Sequence, residues 1–249
     1  MDLFVPGVIL VAGTAMLAAV IAVVVHRFRP AEGDNDAIGN VFTIVAGIDA
    51  VLVAFVLIAL FDAVDTATAD AQLEADSLVA VDWAAGSLDE PARGQIHSLI
   101  HSYASTVIED EWPRMRAAEP VDDTGRAQLD ELRLAVEGAP AADDWQHERK
   151  LSAVDHLWDV YQARQDRLAA SGDDVGLVVW FALIAGSVLS VCLPYLFAGS
   201  RLGPHAVTVS VFAGTVAMLL YAIYQMQNPY AGGASVEPDA FRAALGLLG

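Results

Sequence analysis

The chain has 249 residues, 55% of them hydrophobic, and a mean hydropathy of +0.47, which is too high for an ordinary water-soluble domain. Its formal charge is −19 with a single lysine, Lys150, and this argues against nucleic acid as a partner. The lone cysteine, Cys192, excludes a disulfide within the chain and a cysteine-rich metal site; inside an apolar run its default reading is a buried small hydrophobe.

Apolar and acidic residues occupy separate places. Residues 63–174 hold 24 of the 32 acids and 9 of the 13 bases. Such an acid-rich, lysine-poor surface fits a halophile, because strong screening makes dense negative charge tolerable and useful for solubility. An acidic bacterial protein with biased codon usage is the alternative reading.

Residues 4–25 are almost purely apolar and end at His26, Arg27, Phe28, Arg29 and Pro30. A cleaved signal peptide carries its charge before the apolar run, so the reversed order here predicts a retained membrane helix. A short polar loop precedes a second span, residues 41–61. No breaker follows it, and Val64, Leu73, Leu78 and Val81 continue at helical spacing, so this helix is expected to run on to Gly86. Asp89 as cap with Pro91 behind it marks the next start. That helix carries Ile96, Leu99, Ile100, Tyr103, Val107 and Ile108 on one face, and Pro113 should end or kink it. Two more helices are predicted, over residues 124–137 and 143–170. A third span covers 175–197 and a fourth 206–226, and the tail is expected to fold back as a small amphipathic piece.

The predicted fold class is therefore all-α: a polytopic membrane protein with four transmembrane helices in two pairs flanking a helical soluble domain. The expected boundaries are 1–62 for the first pair, 63–174 for the soluble domain, 175–227 for the second pair and 228–249 for the tail. Arg27, Arg29 and Arg201, with His26 and His205, lie in the short loops, whereas residues 1–3, 62–82 and 228–240 have neither lysine nor arginine. The positive-inside rule then puts the short loops in the cytoplasm and the soluble domain and termini outside the cell membrane.

No phosphate loop, nucleophile elbow, HExxH or dinucleotide glycine run is present, and neither enzymatic activity nor a cofactor is expected. His97 and His101 stand at i, i+4, but two ligands are a weak metal signal, and surface or interhelical histidines are the plainer reading. Asp49 is an ionisable group inside the second span. It would face a water-filled path, or find a partner such as Tyr195, Arg201 or Tyr221, or be a hydrogen-bonded structural residue. Ile48, Leu52, Phe55, Ile58 and Asp62 share one helical face, with Asp65 nearby. Around a pore they would make apolar rings ending in carboxylates; otherwise they form a helix-packing face. Glu109, Asp110, Glu111 and Trp112 precede Pro113, as a cation or interface site or as a helix-end charge network with Arg114 and Arg116 for partners.

The stretch IVAGIDAVLVAFVLIALFD, then Glu74-Ala75, EDEWPRM, YQARQDRL and NPYAGGASVEPDAFRAAL resemble, in this order, a prokaryotic bestrophin-like family of four-helix membrane proteins. Bestrophins proper are pentameric anion channels whose second membrane helix lines the pore. The resemblance implies a homo-oligomeric ion channel in the lipid bilayer, pentameric by analogy, passing inorganic ions along the face of Ile48, Asp49, Leu52, Phe55, Ile58 and Asp62. The chain departs from the pattern at Asp49, where the family usually has an aromatic residue. The alternative function is a non-conducting membrane sensor or assembly module whose soluble helical domain binds a partner.

Overall fold

The computed structural model describes residues 4–27, 35–172, 175–196, 202–233 and 235–249. The regular structure of the described residues is all helical, with no strand among them. In chain order the helices are α1 (Phe4–Arg27), α2 (Asn35–Ala85), α3 (Ala92–Thr106), α4 (Trp112–Arg116), α5 (Thr124–Gly138), α6 (Asp144–Gly172), α7 (Leu177–Cys192), α8 (Leu202–Met226) and α9 (Asp239–Leu248). A π turn, Val107–Glu111, joins α3 to α4, and a short 3-10 turn, Leu193–Leu196, follows α7 at Pro194.

Four helices are long and apolar enough to cross a membrane, over Pro6–Val25, the first part of α2, Leu177–Tyr195 and Ala206–Met226. The chain divides into two compact units, Met1–Phe61 with Asp174–Gln227 and Asp62–Asp173 with Asn228–Gly249, and α2 contributes to both.

The first unit is built as membrane helices are, with small residues where backbones meet. Ala18 and Ala22 of α1 pack with Val209 and Ala213 of α8 and with Tyr195, whose hydroxyl donates to the Ala18 carbonyl at 2.5 Å. Val53 and Leu60 of α2 meet Leu183 of α7 and Ile223 of α8. Large apolar side chains elsewhere on these helices, such as Val8, Met16, Phe181 and Met218, are exposed, as lipid-facing residues are. Cys192 is exposed as well, a correction to its reading as buried. It lines an apolar groove with Leu10, Thr14 and Val188.

The second unit has a conventional interior. Leu129, Leu132 and Val136 of α5 follow the helical repeat and are fully buried beside Ile96, Ile100 and Tyr103 of α3 and Leu157 and Val160 of α6. Phe241 and Ala244 of α9 belong to the same core. On α6 the buried stripe is Ala153, Leu157, Val160, Arg164 and Arg167, so Trp145, Leu151 and Trp158 are left outside.

One expectation about helix ends is revised and another is narrowed. Pro91, not Asp89, caps α3, and it is Glu90 whose carboxylate accepts the Gly94 N–H at 3.1 Å. Of the two outcomes expected at Pro113, the helix does not end there but runs on to Arg116, and an irregularity, the π turn Val107–Glu111, stands just before the proline, where its ring crowds the preceding turn.

Candidate functional site

The sequence-predicted residues fall into two separate places, one in each unit. In the first unit, the exposed face of α2 carries Ile48 at 67%, Phe55 at 67% and Ile58 at 64% exposure, with Ile44 and Val51 beside them. Leu52 is half-buried against the neighbouring packing cluster. This face offers large, β-branched and aromatic side chains at every turn of the helix and no polar group. Asp62 and Asp65, farther along α2, are exposed.

Asp49 is turned away from that face and is 7% exposed. Ser187 of α7 donates to its Oδ2 at 3.4 Å, and Ser190, one turn further, faces the same carboxylate. A Cβ placed on Gly186 would collide with Asp49 Oδ1, so the carboxylate lies directly on the α7 backbone. The side chains that face Asp49 are therefore serines, with Ser187 alone within hydrogen-bond distance among the described residues. Tyr195 instead bonds Ala18, Tyr221 accepts from Gln225, and Arg201 lies outside the described residues.

In the second unit, charged side chains occupy core positions. Ala67, Ala71, Glu74, Leu78 and Val81 form one buried stripe of α2, and Glu74 has no solvent exposure. The π turn ends with Glu111 facing inward on the line set by Ile96, Ile100, Tyr103 and Val107. Arg167 of α6 takes both carboxylates. Its Nε donates to Glu74 Oε2 at 2.7 Å and its Nη2 to Glu74 Oε1 at 3.1 Å, while Nη2 also reaches Glu111 Oε2 at 2.7 Å. Arg164 Nη2 closes the set on Glu111 Oε1 at 2.7 Å. Tyr103 donates to Glu74 Oε1, and Tyr230 to the Arg167 carbonyl at 3.2 Å.

Aromatic rings complete the surround. The Arg167 guanidinium lies 5.6 Å from the ring centres of both Trp112 and Phe241. Trp112 meets Tyr230 and Phe241 edge-on and donates its Nε1–H to the Val236 carbonyl at 3.1 Å. Two arginines face two glutamates, so formal charge balances. Burial works against the Arg167 charge, but Glu74, Tyr103 and Glu111 outweigh it and hold the guanidinium protonated well above its usual range. Burial, reinforced by Glu74, pushes the Tyr103 phenol well up, and burial does the same to Tyr230 against the pull of Arg167. The arrangement is a charge-balanced clamp joining α2, the π turn, α6 and the tail.

The acidic cluster is thus divided. Glu111 and Trp112 enter the clamp, whereas Glu109 stays exposed. Of the two expected local partners, Arg114 does pair within the cluster, with Asp110 at 3.1 Å, and also with Asp122 at 3.3 Å, whereas Arg116 goes to Glu237 at 2.6 Å, and the inward-facing Glu111 is held from α6 instead. Arg164 and Arg167, which sequence reasoning passed over, fill the role. Their signal was available, since both fall on the apolar stripe of α6. His97 bonds Asp82 through Nδ1 at 2.9 Å and His101 is exposed; among the described residues no three histidine, cysteine or acidic side chains are grouped to hold a metal.

No curated protein and no solved structure matches the chain. The family description "Bestrophin-like domain" matches residues 9–241, which takes in the four apolar helices, Asp49, the clamp and the first residues of α9. A multi-pass membrane chain matched over nearly its whole length in this way belongs to the bestrophin-like family.

Proposed function

We propose that the protein is a homo-oligomeric ion channel of the cell membrane, with α2 lining the pore. The observation that carries this reading is the face of Ile48, Phe55 and Ile58, large apolar side chains left exposed on the one membrane helix that also presents a buried carboxylate to a neighbour. Repeated around an axis, this face makes a narrow apolar constriction, which gates by wetting and dewetting, and Asp62 supplies charge beyond it. Asp49 stands behind the constriction on the packed side of α2. The family match over residues 9–241 supports the same reading.

The short loops are assigned to the cytoplasm and the soluble region and termini to the outside by the loop arginines. Arg29 and Arg201 lie outside the described residues. A second reading, a non-conducting sensor or assembly module, is favoured by three exposed tryptophans of the soluble unit, Trp83, Trp145 and Trp158, which suit a protein partner.

The test is the mass of the purified protein in detergent, followed by ion flux through liposomes that contain it. An oligomer with flux is expected. A monomer without flux sinks the channel reading, and an oligomer without flux favours the assembly module.

A further inference from the structure

The serines of α7 that face Asp49 behave unlike the other hydroxyls of the membrane helices. Thr14, Thr43, Thr208, Ser210 and Thr215 each donate to the carbonyl four residues earlier, at 2.7 to 3.0 Å. Ser187 turns instead to Asp49, and Ser190, fully buried, makes no hydrogen bond among the described residues. Asp49 Oδ1 is also buried with no hydrogen-bond partner among the described residues. Unsatisfied buried polar atoms are rare and costly, and here two of them converge on one spot.

The position makes the cost large. At about 1.5 Å per residue, Asp49 lies about 21 Å of helix from Asn35 and about 18 Å from Phe61, deep within the apolar part of α2. No described arginine, lysine or histidine pairs with it. We infer that Asp49, Ser187 and Ser190 bind a monovalent cation of sodium's size between α2 and α7.

Charge and geometry agree. One carboxylate is neutralised by one positive charge, whereas a divalent ion would leave an excess in hydrocarbon. The donor set, a carboxylate with two hydroxyls, is the hard oxygen type that such ions take. The Ser187–Asp49 spacing of 3.4 Å is longer than an ordinary hydroxyl–carboxylate bond. Oxygens about 2.3–2.6 Å from an ion of this size, and at right angles about it, stand about 3.3–3.7 Å apart. Gly186 lets the carboxylate approach the α7 backbone, where any side chain would block it. The site lies within one chain and away from the exposed face of α2, so it does not depend on α2 lining a pore.

The test is thermal unfolding of the full-length protein in detergent. Sodium chloride is titrated against N-methylglucamine chloride at constant ionic strength, so that screening of the acidic surface cancels. A saturable rise in Tm with sodium is expected, lost in Asp49→Asn and shifted at least tenfold in half-saturation in Ser190→Ala. Equal Tm in the two salts, or the same sodium response in Asp49→Asn as in the parent, overturns the inference. So does a response to pH with none to sodium, which would assign the site to a proton. If Asp49→Asn does not fold, Ser190→Ala decides: an unchanged half-saturation overturns the site.

Discussion

Arg167 holds Glu74 through two guanidinium nitrogens, at 2.7 and 3.1 Å, across 93 residues of chain and with neither side chain exposed to solvent. A fork-on-carboxylate contact of this kind fixes angle as well as distance, so it sets how α6 lies on α2 within the soluble unit. It also makes each partner dependent on the other, because either charge alone would be stranded in the core.

Glu74→Gln is therefore expected to destabilise the protein by about 3–5 kcal/mol, as the loss of one member of a buried pair does. Removing both charged groups together, as Glu74→Gln with Arg167→Met, should cost less than the sum of the singles. Denaturant unfolding followed by tryptophan fluorescence measures both; additive losses would contradict the pairing.

Gly125→Ala should damage the same clamp from another side. A Cβ there collides with Glu111 Oε1 and comes within 3.2 Å of Arg164 Nη2. Gly138, in the same helix, has nothing within 4 Å of its Cβ position, so Gly138→Ala should be neutral or stabilise by up to about 1 kcal/mol. The outcome to look for is a lower Tm in the first variant and an unchanged or higher one in the second.

Alkali should loosen the soluble unit. Burial raises Tyr103 and Tyr230, and burial with the bond to Asp130 takes Tyr161 to about 12. An unfolded tyrosine releases its proton near about pH 10, so above that the folded state holds more protons than the unfolded one. Stability then falls as pH rises from about 10 through the folded values, and is fully present below about 10. Tm measured between about pH 9 and 12 should decline, and Tyr103→Phe should flatten the decline.

Salt should act in the opposite sense on the acidic surface. Residues 63–174 hold 24 acids against 9 bases, and screening shortens the reach of their repulsion from about 8 Å at 0.15 M to about 3 Å at 1 M. Tm is expected to climb with either sodium or potassium chloride toward molar concentrations. A flat or falling curve would remove the argument for a high-salt habitat.

On the channel reading, Phe55→Ala widens the constriction and should raise liposome flux several-fold, while Asp62→Asn should change the preference between cations and anions. If neither variant alters flux that the parent conducts, α2 does not line the path.

The membrane helices and nearly every soluble helix could be read from hydropathy and spacing, including the run of α2 to Ala85, because nothing between Phe61 and Gly86 breaks a helix. The clamp could not be paired in advance. Glu74, Arg164 and Arg167 look like solvated charges when read singly, and only their place on apolar stripes marks them as buried; which one meets which depends on contacts 53 to 93 residues apart. Trp145 and Trp158 show the reverse, bulky apolar rings that stand exposed on α6. Ser187 and Ser190 were hidden because a hydroxyl in an apolar run usually satisfies itself on its own helix.

The π turn at Val107–Glu111 shifts the phase of everything after it by one residue. Two ordinary turns beyond Val107 comes Arg114, seven residues on; with the extra residue in the loop of the helix it is Met115, fully buried, that lands beneath Val107, and Arg114 stays at the surface. Straightening the turn with every residue kept would bring Arg114 inward in place of Met115, whereas deleting a single residue, for instance Ile108, would restore the regular beat and leave Met115 seven residues from Val107, still facing the core. In this stretch the spelling of the core is set by one added count rather than by any particular side chain.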